Sequence, residues 1–166
     1  MEEINELYQK IKESDEYKEL VQNNLYLTNI FIMLDDSNNL IDRIQFGFYN
    51  KEKDKIITLS IHENKIIKSL EQEIAKKSDQ KLEELNIENL NINLNEIEEM
   101  CVKEIKKIND KIKINRKMFL IQNQEKPIFL NTFLAEDGNI FSLKIDISTK
   151  EMLEFKKFNV KDLINN

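Results

Sequence analysis

The chain has 166 residues, 40% hydrophobic and 34% charged, which supplies enough apolar material for a core and excludes a disordered composition. A net charge of -6 argues against nucleic acid as the main partner, because phosphate binding needs a basic patch. Two glycines exclude a glycine-rich phosphate loop, and one cysteine excludes an internal disulfide.

Met1-Glu2-Glu3-Ile4-Asn5 has neither the basic nor the apolar region of a signal peptide. No apolar run approaches the ~18 residues needed to span a bilayer. As written, the chain is expected in the cytoplasm; a chain that had lost a leader would read the same way.

Residues 2–22 carry Ile4, Leu7, Tyr8, Ile11, Tyr17, Leu20 and Val21 at helical spacing. Ser14 can bond the amide of Tyr17, so the stretch is one helix or two short ones. From Leu25 the period changes, and Ile30-Phe31-Ile32-Met33-Leu34 has the β-branched and aromatic content of a strand. Residues 35–39 carry turn chemistry. Residues 40–49 alternate as a second strand, with Ile44, Phe46 and Phe48 on one face and Arg43, Gln45 and Gly47 on the other. Residues 51–54 form a charged turn, and Ile57, Leu59 and Ile61 mark a third strand. After Glu63-Asn64, residues 66–70 return as a fourth strand or begin a helix running to Lys77.

Residues 76–95 differ from what precedes them: 76–79 are polar, and 85–94 alternate Leu and Ile with Asn and Glu at low complexity. They read as a linker or a connecting strand. The expected organisation is one unit over 1–78, a linker over 79–94 and a second unit over 95–166. Residues 95–113 are the clearest helix. Asn95 caps it, Ile97, Met100, Cys101, Ile105, Ile108 and Ile112 form its apolar stripe, and acid precedes base as the helix dipole favours. Strands are expected at 118–122, at 127–134 with Pro127 first, through Phe141, Leu143 and Ile145, and through Met152, Phe155, Phe158 and Val160. The turns between them lie at 123–126, Glu136-Asp137-Gly138-Asn139 and 148–151.

The order of a helix and four strands thus occurs twice, and residues 55–61 correspond to residues 139–145. The expected fold is α+β, a tandem repeat of two helix-plus-antiparallel-meander units, each sheet covered by its helix on one face.

Residues 138–153 have a further cadence. Gly138, Phe141, Leu143, Ile145, Asp146 and Thr149 follow the order glycine, aromatic, aliphatic, aliphatic, acid, turn residue. Over roughly residues 95–160 this resembles PepSY-type domains, in which a helix precedes a meander ending in that rhythm. Lys150 stands where the family has glycine, and His62-Glu63-Asn64-Lys65 of the first unit departs further. The resemblance implies a small binding or inhibitory module, often associated with peptidases or the cell envelope and usually exported.

Residues that could carry chemistry are few. His62 is the sole histidine, so a hydrolytic triad or a histidine metal site would centre on it, and no Gly-x-Ser-x-Gly or His-Glu-x-x-His motif accompanies it. It reads as a solvated residue at a strand end. Cys101, on an apolar helix stripe, reads as buried and structural. Asp35-Asp36-Ser37-Asn38 and Glu136-Asp137 with Asn139 offer oxygen ligands without the spacing of a calcium loop. The basic run from Lys103 to Lys117, with Arg116, reads as a solvated helix face. Phe46, Phe48, Phe129, Phe133, Phe141, Phe155 and Phe158 read chiefly as core, with a pocket between helix and sheet as the alternative.

No catalytic, cofactor or metal residue is assigned. The expected function is a non-catalytic protein-interaction or inhibitory module that binds another protein through a sheet face or edge. A carrier or sensor of a small apolar ligand is the alternative. Exposed edge strands, the first and fourth of each unit, could also pair two copies.

Overall fold

The computed structural model describes residues 4–74, 82–88, 90 and 92–161. Helices α1 (Ile4–Lys12) and α2 (Asp15–Gln22) lead into strands β1 (Tyr26–Asp35), β2 (Gln45–Asn50), β3 (Lys55–His62), β4 (Lys65–Lys68) and the short β5 (Gln72–Glu73). Helix α3 (Leu94–Lys106) then leads into β6 (Ile114–Gln124), β7 (Lys126–Ala135), β8 (Asn139–Asp146) and β9 (Met152–Asn159).

The nine strands form one antiparallel sheet in the order β4-β3-β2-β1-β6-β7-β8-β9, with β5 also paired to β3. Two separate sheets were the expectation. Instead β1 and β6 pair over seven residues, from Asn29 opposite Gln122 to Asp35 opposite Arg116. This union has a physical reason: each half would otherwise leave its first strand as an unpaired edge of backbone donors and acceptors. Joining them removes both edges, so β4 and β9 are the outer strands, and the first strands are not available to a second copy. The first half runs α1, α2 and β1 to β5 and the second α3 and β6 to β9; residues 55–61 and 139–145 lie on β3 and β8, each two strands away from the β1·β6 pair.

Helices α1, α2 and α3 lie on one side of the sheet. Ile4, Leu7, Tyr8 and Ile11 of α1, Leu20 of α2, and Ile97, Cys101 and Ile105 of α3 join one cluster with Ile30, Phe46, Phe119, Phe133 and Phe141 of the sheet. Tyr8 stacks on Phe46 at 5.8 Å, and Tyr17 meets Phe48 edge-on at the same separation. Leu85 and Ile87, between the halves, are buried in the same cluster, and Leu85 donates its N–H to the carbonyl of Leu27 at 2.7 Å. The described part of this segment is neither helix nor strand; residues 75–81 lie outside the described residues.

Local chemistry explains most boundaries. Ser14 breaks the N-terminal helix: its hydroxyl accepts from Tyr17 N–H at 3.2 Å and donates to the carbonyl of Ile11 at 2.7 Å. The hairpin joining β3 and β4 holds Glu63 and Asn64 at φ 49° and 60°, the paired left-handed residues of a tight turn, so residues 65–68 return as a strand and not as a helix. Three expectations need correction. Strand β2 starts at Gln45 rather than at residue 40, because residues 36–44 form a loop tied back by the Leu34–Leu40 bridge. Asn93, not Asn95, caps α3, accepting from Glu96 N–H at 3.2 Å. The helix stops at Lys106, so Ile108 falls beyond it and is 47% exposed.

Candidate functional site

The residues with catalytic potential do not converge. His62 ends β3 with a side chain 54% exposed and its Nε2 4.0 Å from Glu63 Oε1. Cys101 is fully buried on α3; burial, with a lesser push from Glu98, drives its thiol up to about 12, so the nucleophilic thiolate is suppressed. The Asp35 carboxylate is spent on its own turn. It accepts from Ser37 N–H at 2.9 Å and Asn39 N–H at 2.7 Å, and the Asn39 amide holds it below the usual carboxylate range. Asp137 does the same for its hairpin through Asn139 N–H at 3.0 Å, with Gly138 at φ 81°. Among the described residues no three His, Cys, Asp or Glu side chains gather as a metal site.

The basic run divides. Lys103, Lys106 and Lys107 are exposed on or beside α3, whereas Lys117 is turned into the core side of β6 and is only 5% exposed. Its ammonium meets Glu98 Oε1 at 2.7 Å and bonds Asn38 Oδ1, tying α3 to the β1–β2 loop. A buried lysine is tolerable only with such partners. Lys117 is therefore an internal tie, not part of a solvated face.

The phenylalanines divide as well. Phe46, Phe48, Phe129, Phe133 and Phe141 are buried on the helix side, Phe155 is half-buried beside them, and Phe158 is 42% exposed on the opposite face. That opposite face is the most distinctive surface of the molecule. Strand pairing places Phe31 beside Leu120 and Leu130, Met33 beside Met118 and Thr132, and Leu134 beside Ile140 and Phe158. The first two rows cross the β1·β6 junction at the centre of the sheet. Every one of these side chains except Phe158 is half-buried. Lys144, Glu154 and Lys156 border the rows. A one-sided antiparallel sheet ordinarily turns polar residues outward; here both faces are apolar at the centre. Period-two alternation signals a strand with one apolar face, and this near-continuous apolar content in β1, β6 and β7 was the available sign that the second face is apolar too.

Two further features were not legible beforehand. Asn131 of β7 is fully buried on the helix side between Phe119 and Leu143, and among the described residues neither of its amide atoms has a hydrogen-bond partner. In the first half Phe46 holds the matching place, opposite Leu59. Arg43 sits at the entrance to β2, beside an open cleft of about 630 Å³ lined by Leu7, Ile44, Phe46, Ile61 and His62 and lipped by Leu40 and Ile41.

Among the described residues no helix is long and apolar enough to cross a membrane. No family model and no curated protein matches the chain. Its fold is similar to the crystal structure, at 1.85 Å resolution, of a protein from Clostridium difficile 630 provisionally described as a lipoprotein. The TM-score is 0.54 at 9% identity, over 87% of this chain and 89% of that one, a likeness that shows the fold alone.

Proposed function

We propose that the chain is a non-catalytic interaction module that binds another protein through the open face of its sheet. The observation that carries this reading is the pair of apolar rows centred on Phe31, Met33, Met118 and Leu120, on the side away from α1, α2 and α3. Contiguous apolar surface of that kind marks an interaction site. The partner presents an apolar patch of its own, because a polar surface laid on these rows would lose its hydration without compensation. The exposed position of His62 and the buried thiol of Cys101 support a non-enzymatic role.

The resemblance to PepSY-type domains is consistent with this reading. Lys150, where that family has glycine, holds φ 60°, the conformation that glycine adopts most readily. Asp146, the acid of the same cadence, anchors the turn by accepting from Ser148 and Thr149 N–H at 2.8 and 3.1 Å. A tandem repeat is supported by the matching places of β3 and β8, and the two units fuse through their first strands. Export of the chain is supported by the fold it shares with the Clostridium protein described as a lipoprotein.

The test is capture from the native source with tagged wild-type and Leu120→Glu chains side by side. Leu120 is half-buried and its neighbours are side chains of the open face, so the substitution leaves the helix-side core in place. One protein retained stoichiometrically by the wild type and lost from Leu120→Glu, with unchanged circular dichroism, is the expected result. Equal retention by both chains would sink the reading.

A further inference from the structure

The open face of the first half carries a polar hollow beside the apolar rows. It measures about 180 Å³ and is lined by Arg43, Gln45, Thr58, Ser60, Ile67 and Ser69, among others. Arg43, Gln45, Thr58 and Ser60 alternate along the chain with Ile44, Phe46, Ile57 and Leu59, which are buried on the helix side. Strand register fixes the place of the hollow. Ile67 stands opposite Ser60, Ser60 opposite Gln45, Gln45 opposite Phe31, and Phe31 opposite Leu120. At the ~4.8 Å spacing of paired strands, Ser60 lies about 10 Å from Phe31 along one unbroken row.

Two observations point to a ligand there. Ser60 is 7% exposed, and among the described residues its hydroxyl makes no hydrogen bond, although a buried hydroxyl ordinarily has one. Arg43 is half-buried, and among the described residues no oxygen accepts from its guanidinium. Their neighbours are committed. Ser69 Oγ accepts from Thr58 N–H at 2.9 Å and donates to the carbonyl of Leu70 at 2.9 Å. Asp42 accepts from Arg43 N–H at 2.7 Å and from the Gln45 amide at 3.3 Å.

We propose that the hollow receives a single carboxylate, the side chain of an aspartate or glutamate that the partner carries beside its apolar patch. The inference rests on the sheet-face reading and adds the partner's chemistry to it. A guanidinium fork takes two coplanar oxygens, and the Ser60 hydroxyl supplies a further donor. Asp42 at the rim repels a doubly charged phosphate more than a carboxylate. A volume of about 180 Å³ is below the roughly 300 Å³ at which small-molecule sites begin, so the hollow takes one side-chain group rather than a whole ligand.

Two blocked peptides, acetyl-Leu-Glu-Leu-amide and acetyl-Leu-Gln-Leu-amide, titrated into the isotope-labelled full chain and followed by NMR, test this. The glutamyl peptide is expected to shift the amides of Gln45, Thr58 and Ser60 and to bind about tenfold more tightly than the glutaminyl peptide. Arg43→Gln is expected to erase that preference, Arg43→Lys to restore part of it, and Ser60→Ala to reduce it about threefold. No shift at Gln45, Thr58 or Ser60, equal affinity of the two peptides for the wild-type chain, or a preference that survives Arg43→Gln would each overturn the proposal. Acetate binding as tightly as the glutamyl peptide would assign the hollow to a free anion and overturn it too. The two readings fail separately: equal retention of wild-type and Leu120→Glu chains sinks the sheet-face reading, whereas the peptide preference belongs to the hollow alone.

Discussion

At the scale of single residues, Asn131 is where the core departs from its own logic. A buried amide with neither atom satisfied is destabilising by about 1–3 kcal/mol, and Asn131 stands opposite the apolar side chains of Phe119 and Leu143. Asn131→Leu, close in volume and apolar, is therefore expected to raise unfolding free energy by about 1–3 kcal/mol in a urea titration. A fall in stability would mean that the amide has a bonded partner in solution. The sequence made Cys101 legible as a buried residue because it lies on an apolar helical stripe. It could not make Asn131 legible, since many asparagines in this chain occupy turns and only the register of β7 shows which one points inward. Lys117 was hidden for the same reason: a lysine beside a helix reads as solvated until the strand that follows turns it toward Glu98.

At the scale of elements, turns and caps were the most legible. Ser14 capping α2, the Glu63-Asn64 reversal and the Gly138 hairpin all follow from local bonding that a short window contains. The start of β2 and the cap of α3 were less so. Residues 40–44 alternate as well as a strand does, and Asn93 and Asn95 are equivalent caps until packing selects Leu94 as the first helical residue.

The β8–β9 turn yields a pH-dependent consequence. Asp146 is 3% exposed, and Lys126 Nζ at 2.5 Å holds its carboxyl below the ordinary 3.8, helped by the Thr149 and Ser148 amides. A carboxyl depressed in the folded state binds its proton more readily when unfolded. Its stabilisation is therefore complete above pH 3.8 and is lost as the pH falls through the lowered folded value. Lys126, raised chiefly by its bond to Asp146, contributes stability that is complete below 10.5 and is lost as the pH rises through its folded value. Asp146→Asn is expected to lower the urea midpoint at neutral pH and to fall less steeply than wild type on acidification below about pH 4. Parallel acid profiles for the two chains would show that the pair contributes nothing.

At the scale of the whole molecule, the α+β class and the antiparallel strands were legible, and their union into one sheet was not. Which strands meet across a chain reversal of some eighty residues is set by tertiary packing, which leaves no mark in a local period. Pairing β1 with β6 makes the sheet continuous and places Phe31, Met33, Met118 and Leu120 together at its centre, on a face that no helix among the described residues covers. The outer strands are poorer docking elements. β4 has four residues, and β9 alternates charge through Glu154, Lys156 and Lys157, which disfavours edge-to-edge pairing of two copies.

The central claim is that this open face is the docking surface, and site-directed photo-crosslinking in the native source tests it most directly. A benzophenone side chain replaces Leu120 in one chain and the exposed Lys103 of α3, on the helix side, in another. The expected result is a single heavier band, one protein, from position 120 and none from position 103. A product from position 103 with none from position 120 would place the partner on the helices and contradict the account.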